Sequence, residues 1–351
     1  MDDLTVVITG SGAPGIKGTL FSLVNNFDDR RIRTIGTDIR ADVVGKHLCD
    51  GFYQISRPGH GEYLEQLLDI CERESVDAIL PQNTAELSVL AEHEADFSQI
   101  GSKIAISKKG SIETSNNKYQ LLKIAEKIDV PIPEFSLVEK FQELSSFAEK
   151  LGWPHEPVVV KPPVSNGMRG FRIIDESIDL KKRFYEEKPT GVYTKMDDLR
   201  ETLGPTFPPL LVMEHLPGEE YTVDVLSEEK MNIIPRKRDM IRSGITFIGT
   251  TEKDEEIIEY SRGLSEEIDL RYAYGFQFKR DGDGTPKLLE ANPRIQGTMV
   301  LSTFAGANVI YGALKSVLDE PVPEFDIRWG TRIMRYWGGL GIHGREITGS
   351  L

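Results

Sequence analysis

From Leu4 to about Lys109 short apolar runs alternate with amphipathic stretches, and this alternation constrains the fold more than any other feature of the chain. LTVVIT, RTIGTD, VDAILPQ and SKIAIS are brief and rich in β-branched residues, which suits strands. Between them stand Ile16 to Asn26, GEYLEQLLDICERES and TAELSVLAEHEADF, where apolar residues recur at helical spacing. Strands that alternate with helices of about 10–15 residues form parallel βαβ units, because each crossover must carry the chain back to the same end of the sheet. The expectation is a small doubly wound α/β sheet over residues 1–110.

Beyond the helix NNKYQLLKIAEKI and the punctuation VPIPE, the period changes. A strand at FSLV, a helix at QELSSFAEKLG, the apolar run PVVVKPP, the loop SNGMRGF and a strand at FRIID come first. From Leu210 to Glu290 the chain reads mostly as strands joined by tight turns at PGEE and RDGDGT, with one helix near EEIIEYSRGLSEEI. Such a run implies an antiparallel sheet and an α+β second half. Residues 295–314, IQGTMVLSTFAGANVIYGAL, hold no charge for twenty positions, which is the length of a membrane span. Gln296, Asn308 and three glycines within them favour a buried helix instead. Residues 321–351 are rich in Gly and Arg and show no assignable period.

Composition narrows the function classes. With Lys+Arg 42 against Asp+Glu 56 the net charge is −14, the wrong sign for a chain whose main partner is a nucleic acid. Cys49 and Cys71 form no ligand-like cluster, which suits a reducing, cytoplasmic setting. MDDLTVV opens on two acids, which is not the start expected of a secretory leader. No membrane association is expected.

Gly10-Ser11-Gly12-Ala13-Pro14-Gly15 follows a strand and opens a helix, and Asp38 ends the next strand. The pattern is that of a dinucleotide-binding turn, whose acid would hold a ribose, and an NAD-dependent oxidoreductase is therefore one alternative. Pro14 removes a backbone donor where a pyrophosphate would need one, and no Tyr-x-x-x-Lys pair follows. A glycine loop lining a small-substrate site and a purely structural turn remain the other readings.

The second half holds the parts needed to direct a nucleoside triphosphate toward a carboxylate. Lys118 opens a helix, and Lys161 ends a buried strand where an ammonium is costly unless it meets an anion. Ser165-Asn166-Gly167-Met168-Arg169-Gly170 is a small-residue loop with two glycines, suited to closing over a ligand. Met213 to Tyr221 turns sharply between strands. Glu290 and Asn292 are two apart on a strand and share a face, and Gln277 lies across the RDGDGT turn. Three oxygen ligands with one carboxylate suit Mg²⁺ that also takes phosphate oxygens. PRKRDMIRSG adds a basic cluster of Arg236, Lys237, Arg238 and Arg242. Gly12 and the segment Gln82, Asn83, Thr84 and Glu86 lie at the carboxyl ends of first-domain strands, where α/β sheets place ligands.

Taken in order, Lys118, VVVKPP, SNGMRG, MEHLPGEEYTVDV and LLEANPR resemble the ATP-grasp ligases over roughly residues 1 to 315, and particularly a synthetase half of the carbamoyl phosphate synthase large subunit. The resemblance implies an ATP-grasp fold preceded by a Rossmann-like, pre-ATP-grasp βα domain. Residues 1–110 would form the leading domain and 111–320 the grasp, with a lid subdomain at about 130–210 and a larger antiparallel subdomain at about 211–320. Residues 321–351 would be a tail. It further implies ATP and Mg²⁺ as cofactors, with Mn²⁺ as a substitute metal. Lys118 and Lys161 would bind phosphates beneath the loop Ser165, Asn166, Gly167 and Gly170. Glu214, His215 and Leu216 would meet the adenine, and Glu220 or Glu219 the ribose. Gln277, Glu290 and Asn292 would hold the metal.

Arg294, Lys161 and Arg169 would act at the transferred phosphoryl group, and Gly12, Arg238, Arg242 and Glu86 would contact substrate. The activity implied is amide formation between a small-molecule carboxylate and an amine through an acyl phosphate. The alternative is phosphorylation of bicarbonate or carbamate, for which a homodimer could stand in for a second half. Three departures stand out. The hinge from Glu214 to Glu220 is one residue short, Gln277 is an amide where many relatives carry a carboxylate, and Arg169 occupies a lid of otherwise small residues.

Overall fold

The computed structural model describes residues 2–165, 167–186, 191–227, 230–242, 244–336, 338–344 and 346–351. The chain divides into two compact units. One gathers Met1–Ser115, Tyr221–Gln277 and Ala291–Leu351; the other takes Asn116–Glu220 and Phe278–Glu290.

The first unit begins with the expected parallel sheet. Its strands β1 (Leu4–Ile8), β2 (Ile32–Asp38), β3 (Gly51–Gln54), β4 (Ala78–Leu80) and β5 (Lys103–Ile104) lie in the order β3-β2-β1-β4-β5. Side chains alternate across a strand, so β1 feeds two cores at once. Leu4, Val6 and Ile8 enter one cluster with Ile16 and Leu23 of the helix Ile16–Val24, whereas Val7 joins Ile35, Ile79 and Leu67 on the opposite face. Burial on both faces explains why the strand reads as an unbroken apolar run.

The first of these clusters also contains Leu226, Ile234 and Ala273, which come from an antiparallel sheet. That sheet comprises β11 (Glu220–Ser227), β12 (Asn232–Arg242), β13 (Ile245–Thr251), β14 (Tyr272–Arg280), β15 (Pro286–Asn292) and β16 (Arg332–Met334), in the order β15-β14-β11-β12-β13-β16. Strand β16 belongs to the tail for which the sequence offered no structure. It pairs antiparallel with β13, Ile248 opposite Met334, and a hairpin of β17 (Leu340–His343) and β18 (Glu346–Ser350) follows.

The uncharged stretch 295–314 is buried as expected but is not one helix. It holds two, Val300–Phe304 and Val309–Val317. The break has a local cause. Gly306 takes a φ of +95°, and Asn308 caps the second helix by accepting from the Tyr311 N–H while its amide donates to Ser22 O at 2.7 Å. Among the described residues no helix is long and apolar enough to cross a membrane. The stretch TAELSVLAEHEADF is likewise divided, into a 3₁₀ turn Thr84–Glu86 and helices Leu87–Glu92 and Glu94–Gln99.

In the second unit β6 (Phe135–Lys140), β7 (Val158–Lys161), β8 (Arg172–Ile174), β9 (Tyr193–Thr194) and β10 (Thr206–Glu214) form a sheet in the order β6-β10-β7-β8-β9. Val158 and Val160 pack with Leu144 and Ala148 of the helix Phe141–Lys150 on one face. Val159 packs on the other with Leu122, from the helix Lys118–Lys127. The two-residue period therefore assigns Lys161 to the face that the helix of Lys118 covers.

Candidate functional site

Lys118 and Lys161 are 5% and 6% exposed, which is rare for ammonium groups and requires compensation. The Lys118 helix is anchored by Asn117, whose side chain accepts from the Tyr119 and Gln120 N–H groups. Lys118 Nζ donates to Ser165 O at 2.8 Å and stands 3.6 Å from Glu290 Oε2. Lys161 Nζ donates to Leu289 O at 3.3 Å. Burial pushes the Lys161 ammonium down to about 8; the Lys118 charge acts in the same direction, and Glu290 and Glu220 oppose it. Two lysines, Glu290, Glu220 and the start of the loop at Ser165 thus share one electrostatic environment inside the second unit.

The loop itself turns through left-handed backbone at Gly167 (φ +60°), Met168 (φ +61°) and Gly170 (φ +74°). Only glycine serves at 170, because a Cβ there would also meet Pro162 Cγ at 2.6 Å. Arg169 is exposed, and Asn166 lies outside the described residues.

At the end of β10 the Glu214 carboxylate is held by Lys287 Nζ at 2.8 Å and by the Glu134 N–H at 3.1 Å. Its side chain positions the turn. His215 is half-buried, and that burial lowers its imidazole below the ordinary value. Leu216 is buried. The Gly218 N–H donates to Arg280 O and the Arg280 N–H to Glu219 O, both at 2.9 Å, which fixes the turn leading into Glu220.

The remaining site residues lie in the first unit. Gln277 Oε1 accepts from Arg238 Nη1 at 3.5 Å, and Arg238 also donates to Thr246 Oγ1 and Gly244 O. Arg294 donates through Nε to Thr84 Oγ1 at 3.0 Å and through Nη2 to Asn292 Oδ1 at 3.5 Å. It therefore ties the strand end that carries Asn292 to the loop after β4. Arg242 is exposed and stacks over the Phe247 ring at 4.3 Å, apart from these contacts.

Two of the residues expected to contact substrate have structural work. Glu86 is 2% exposed; its Oε1 accepts from Thr9 Oγ1 and the Asn83 N–H, and its Oε2 from the Tyr63 hydroxyl. Oε1 closes the capping box that opens the Thr84–Glu86 turn, the Tyr63 hydroxyl holds Oε2, and burial pushes the carboxyl up. The Gly12 N–H donates to Asp38 Oδ2 at 2.8 Å, and a Cβ at Gly12 would meet Asp38, Arg40 and Val43 at 2.7 Å. Asp38 thus closes the glycine turn on itself. A Cβ at Gly15 would stand 2.6 Å from Gly297 Cα, so the turn also abuts the chain just after Arg294.

Sequence reasoning passed over Asp224, Lys287 and Arg335. Asp224 and Arg236 form a buried ion pair at 2.7 Å, signalled only by an acid inside the apolar run TVDVL. Lys287 orients Glu214. Arg335 reaches Gly297 O at 2.7 Å from the tail, and nothing in its neighbourhood signalled this.

Comparison with known proteins adds the lineage. Residues 206–335 match the family described as ATP-grasp in the biosynthetic pathway with Ter operon, and residues 8–105 match the PylC-like N-terminal domain. The carbamoyl phosphate synthase large chain of Clostridium acetobutylicum is 22% identical over 275 residues, covering 75% of this chain. The match spans 24% of that relative's length, about a quarter. Among solved structures, N5-carboxyaminoimidazole synthetase from Staphylococcus aureus complexed with ADP superposes with a TM-score of 0.66 at 17% identity, covering 93% of this chain and 80% of that one. The biotin carboxylase domain dimer of Hydrogenobacter thermophilus 2-oxoglutarate carboxylase, in complex with MgADP, ADP and bicarbonate, gives 0.67 at 18% identity, covering 95% and 74%. These likenesses show the fold. The chain carries an ATP-grasp domain match over residues 206–335, preceded by a PylC-like N-terminal domain match over residues 8–105.

Proposed function

We propose that the chain is an ATP-dependent carboxylate–amine ligase that forms an amide through an acyl phosphate, with a small amino acid or metabolite as substrate. The observation that carries this reading is the pair of buried lysines around Glu290. A buried ammonium whose pKa is driven down to about 8, with one carbonyl at 3.3 Å, gains most from a polyphosphate. ATP therefore fits the residues present, with Lys118 and Lys161 on its phosphates, the loop at Ser165, Gly167 and Gly170 covering them, and Glu220 or Glu219 on the ribose.

Gln277, Glu290 and Asn292 offer oxygen donors with a single carboxylate, a set that fits Mg²⁺ already sharing phosphate oxygens. When bound, the metal neutralises charge on those oxygens. The chain's own work is positioning: the lysines hold the phosphates, the loop excludes water, and Arg294 stands at the end of the metal-bearing strand. Attack of the substrate carboxylate on the γ-phosphorus would release ADP, and an amine would then displace phosphate from the acyl carbon. In domain terms we assign residues 1–110 to the leading domain, 111–320 to the grasp and 321–351 to a C-terminal segment.

Calorimetric titration with ATP and MgCl₂ tests the nucleotide half of this reading. Wild type should bind, and Lys161→Met should bind at least tenfold more weakly. Equal affinity of the two would remove the central observation.

A further inference from the structure

Three segments of the second unit meet at Lys287. It lies on β15, three residues before Glu290, and its Nζ donates to both oxygens of Glu214, at 2.8 and 3.0 Å, while standing 3.3 Å from Asp281 Oδ2. Glu214 ends β10 and begins the turn that leads to Glu220. Asp281 closes the β14–β15 hairpin, where its other oxygen accepts from the Asp283 and Thr285 N–H groups. The third segment is the run before β6. The Glu134 N–H donates to Glu214 Oε2 at 3.1 Å, the Glu214 N–H donates back to Glu134 O at 2.9 Å, and the Leu288 N–H donates to Pro131 O at 2.9 Å. The turn also lies hard against the hairpin, since a Cβ at Gly218 would meet Arg280 O at 2.6 Å.

One ammonium serves two carboxylates at this junction. Burial opposes its charge, yet Glu214 and Asp281 more than offset that and hold the Lys287 ammonium above its usual value. Without the cation the two carboxylates would face one another as like charges, and the turn would lose its side-chain tie to the hairpin. Both of the joined elements lead to the buried lysines. The turn ends at Glu220, one of the acids that act on Lys161, and β15 runs on to Glu290 beside Lys118. Main-chain N–H and C=O groups recognise a flat, hydrogen-bonding ring well only where their spacing is already fixed, because a loose turn spends affinity on being ordered.

We propose that Lys287 is a positioning residue for the nucleotide base: by clamping Glu214 to the β14–β15 hairpin it fixes the turn from Glu214 to Glu220 at the spacing that reads the base, and registers that turn against the strand that carries Glu290. For its ligand this role rests on the ligase reading. Lys287 acts through Glu214, so its loss is felt by the part of the nucleotide that meets the turn and spares the part held by Lys118 and Lys161.

The test compares a ligand that has a base with one that lacks it. Calorimetric titration of the full chain with MgCl₂ present measures the affinity for ATP and for inorganic tripolyphosphate in wild type, Lys287→Met and Lys287→Arg. Lys287→Met should bind ATP about tenfold more weakly while its tripolyphosphate affinity changes less than about twofold, and Lys287→Arg should fall between. A merely structural role would weaken both ligands together. Should Lys287→Met not fold, Lys287→Gln, which keeps a donor without the charge, takes its place. Equal ATP affinity in wild type and Lys287→Met, or a parallel loss of ATP and tripolyphosphate, overturns the role. Where tripolyphosphate is too weak to register in any of the proteins, the ATP values decide: loss in Lys287→Met with recovery in Lys287→Arg supports it, and equal loss in both overturns it. Wild type that binds no ATP removes the ligase reading and this role with it, whereas ATP bound equally by wild type and Lys287→Met removes this role alone.

Discussion

Lys118 Nζ stands 3.6 Å from Glu290 Oε2 while donating its closer hydrogen bond, at 2.8 Å, to the main-chain oxygen of Ser165. The contact is longer than a hydrogen-bonded ion pair, so the carboxylate tempers the lysine without saturating it. A phosphate and a divalent cation arriving together could part the two at little cost. Replacing the carboxylate should therefore affect chemistry more than folding. Glu290→Ala is expected to lower Mg·ATP turnover by about 100-fold or more, the range seen when one transition-state electrostatic contact is removed. Its melting temperature should stay near that of wild type. Turnover retained by this variant would contradict the metal assignment.

Lys161 sets a pH dependence. Its folded-state pKa of about 8 lies below the usual 10.5, so between these values the folded chain holds fewer protons at this site than the unfolded chain. Stability of the nucleotide-free protein from this group should rise from pH 8 to 10.5 and be lowest below 8. Nucleotide affinity should run the other way, because phosphates favour the charged amine. Binding should take up a proton near pH 8 and weaken as pH climbs past it. Calorimetry in buffers of different ionisation heat measures that uptake, and Lys161→Met should abolish it.

The Asp224–Arg236 pair offers a stability test free of any substrate. Both side chains are essentially inaccessible, and removing one partner strands the other. Asp224→Ala is expected to cost about 3–5 kcal/mol in urea unfolding, with most of it recovered when Arg236→Met is added. A loss below about 1 kcal/mol would mean that solvent reaches the pair.

Glu86 separates architecture from recognition. A glutamine there keeps one acceptor oxygen and loses the other, so Thr9, Asn83 and Tyr63 can no longer all be satisfied. Glu86→Gln should cost about 1–3 kcal/mol of stability. Its KM values should match those of wild type, and a selective rise in KM for one substrate would restore Glu86 to the substrate site.

Much of this was legible in the sequence for an identifiable reason. The β1 run LTVVI and the helix of Lys118 carry their own period, and Lys161 announces itself as a charge at the end of an apolar strand. The misses share a different cause. The helix expected through residues 295–314 breaks because Asn308 finds Ser22 across the fold, a contact that no local window contains. Glu86 follows an apolar strand as a ligand-binding residue would, yet Thr9 and Tyr63 turn it inward. Arg335 sits in a Gly-rich tail whose strand β16 is three residues long and stable only against β13. Its neighbours in space, Gly297 and Arg236, are distant in sequence. Side chains that hold distant segments together leave no periodic trace.

Trapping the activated carboxylate tests the central claim most directly. The full chain would be incubated with ATP, MgCl₂, a panel of amino acids and small carboxylates, and hydroxylamine in place of the natural amine. Hydroxamate formed in step with ADP by wild type, and absent from Lys161→Met, is the result expected of a ligase that works through an acyl phosphate. ATP binding with no hydroxamate from any carboxylate, and phosphate released only with bicarbonate and ammonia, would contradict it.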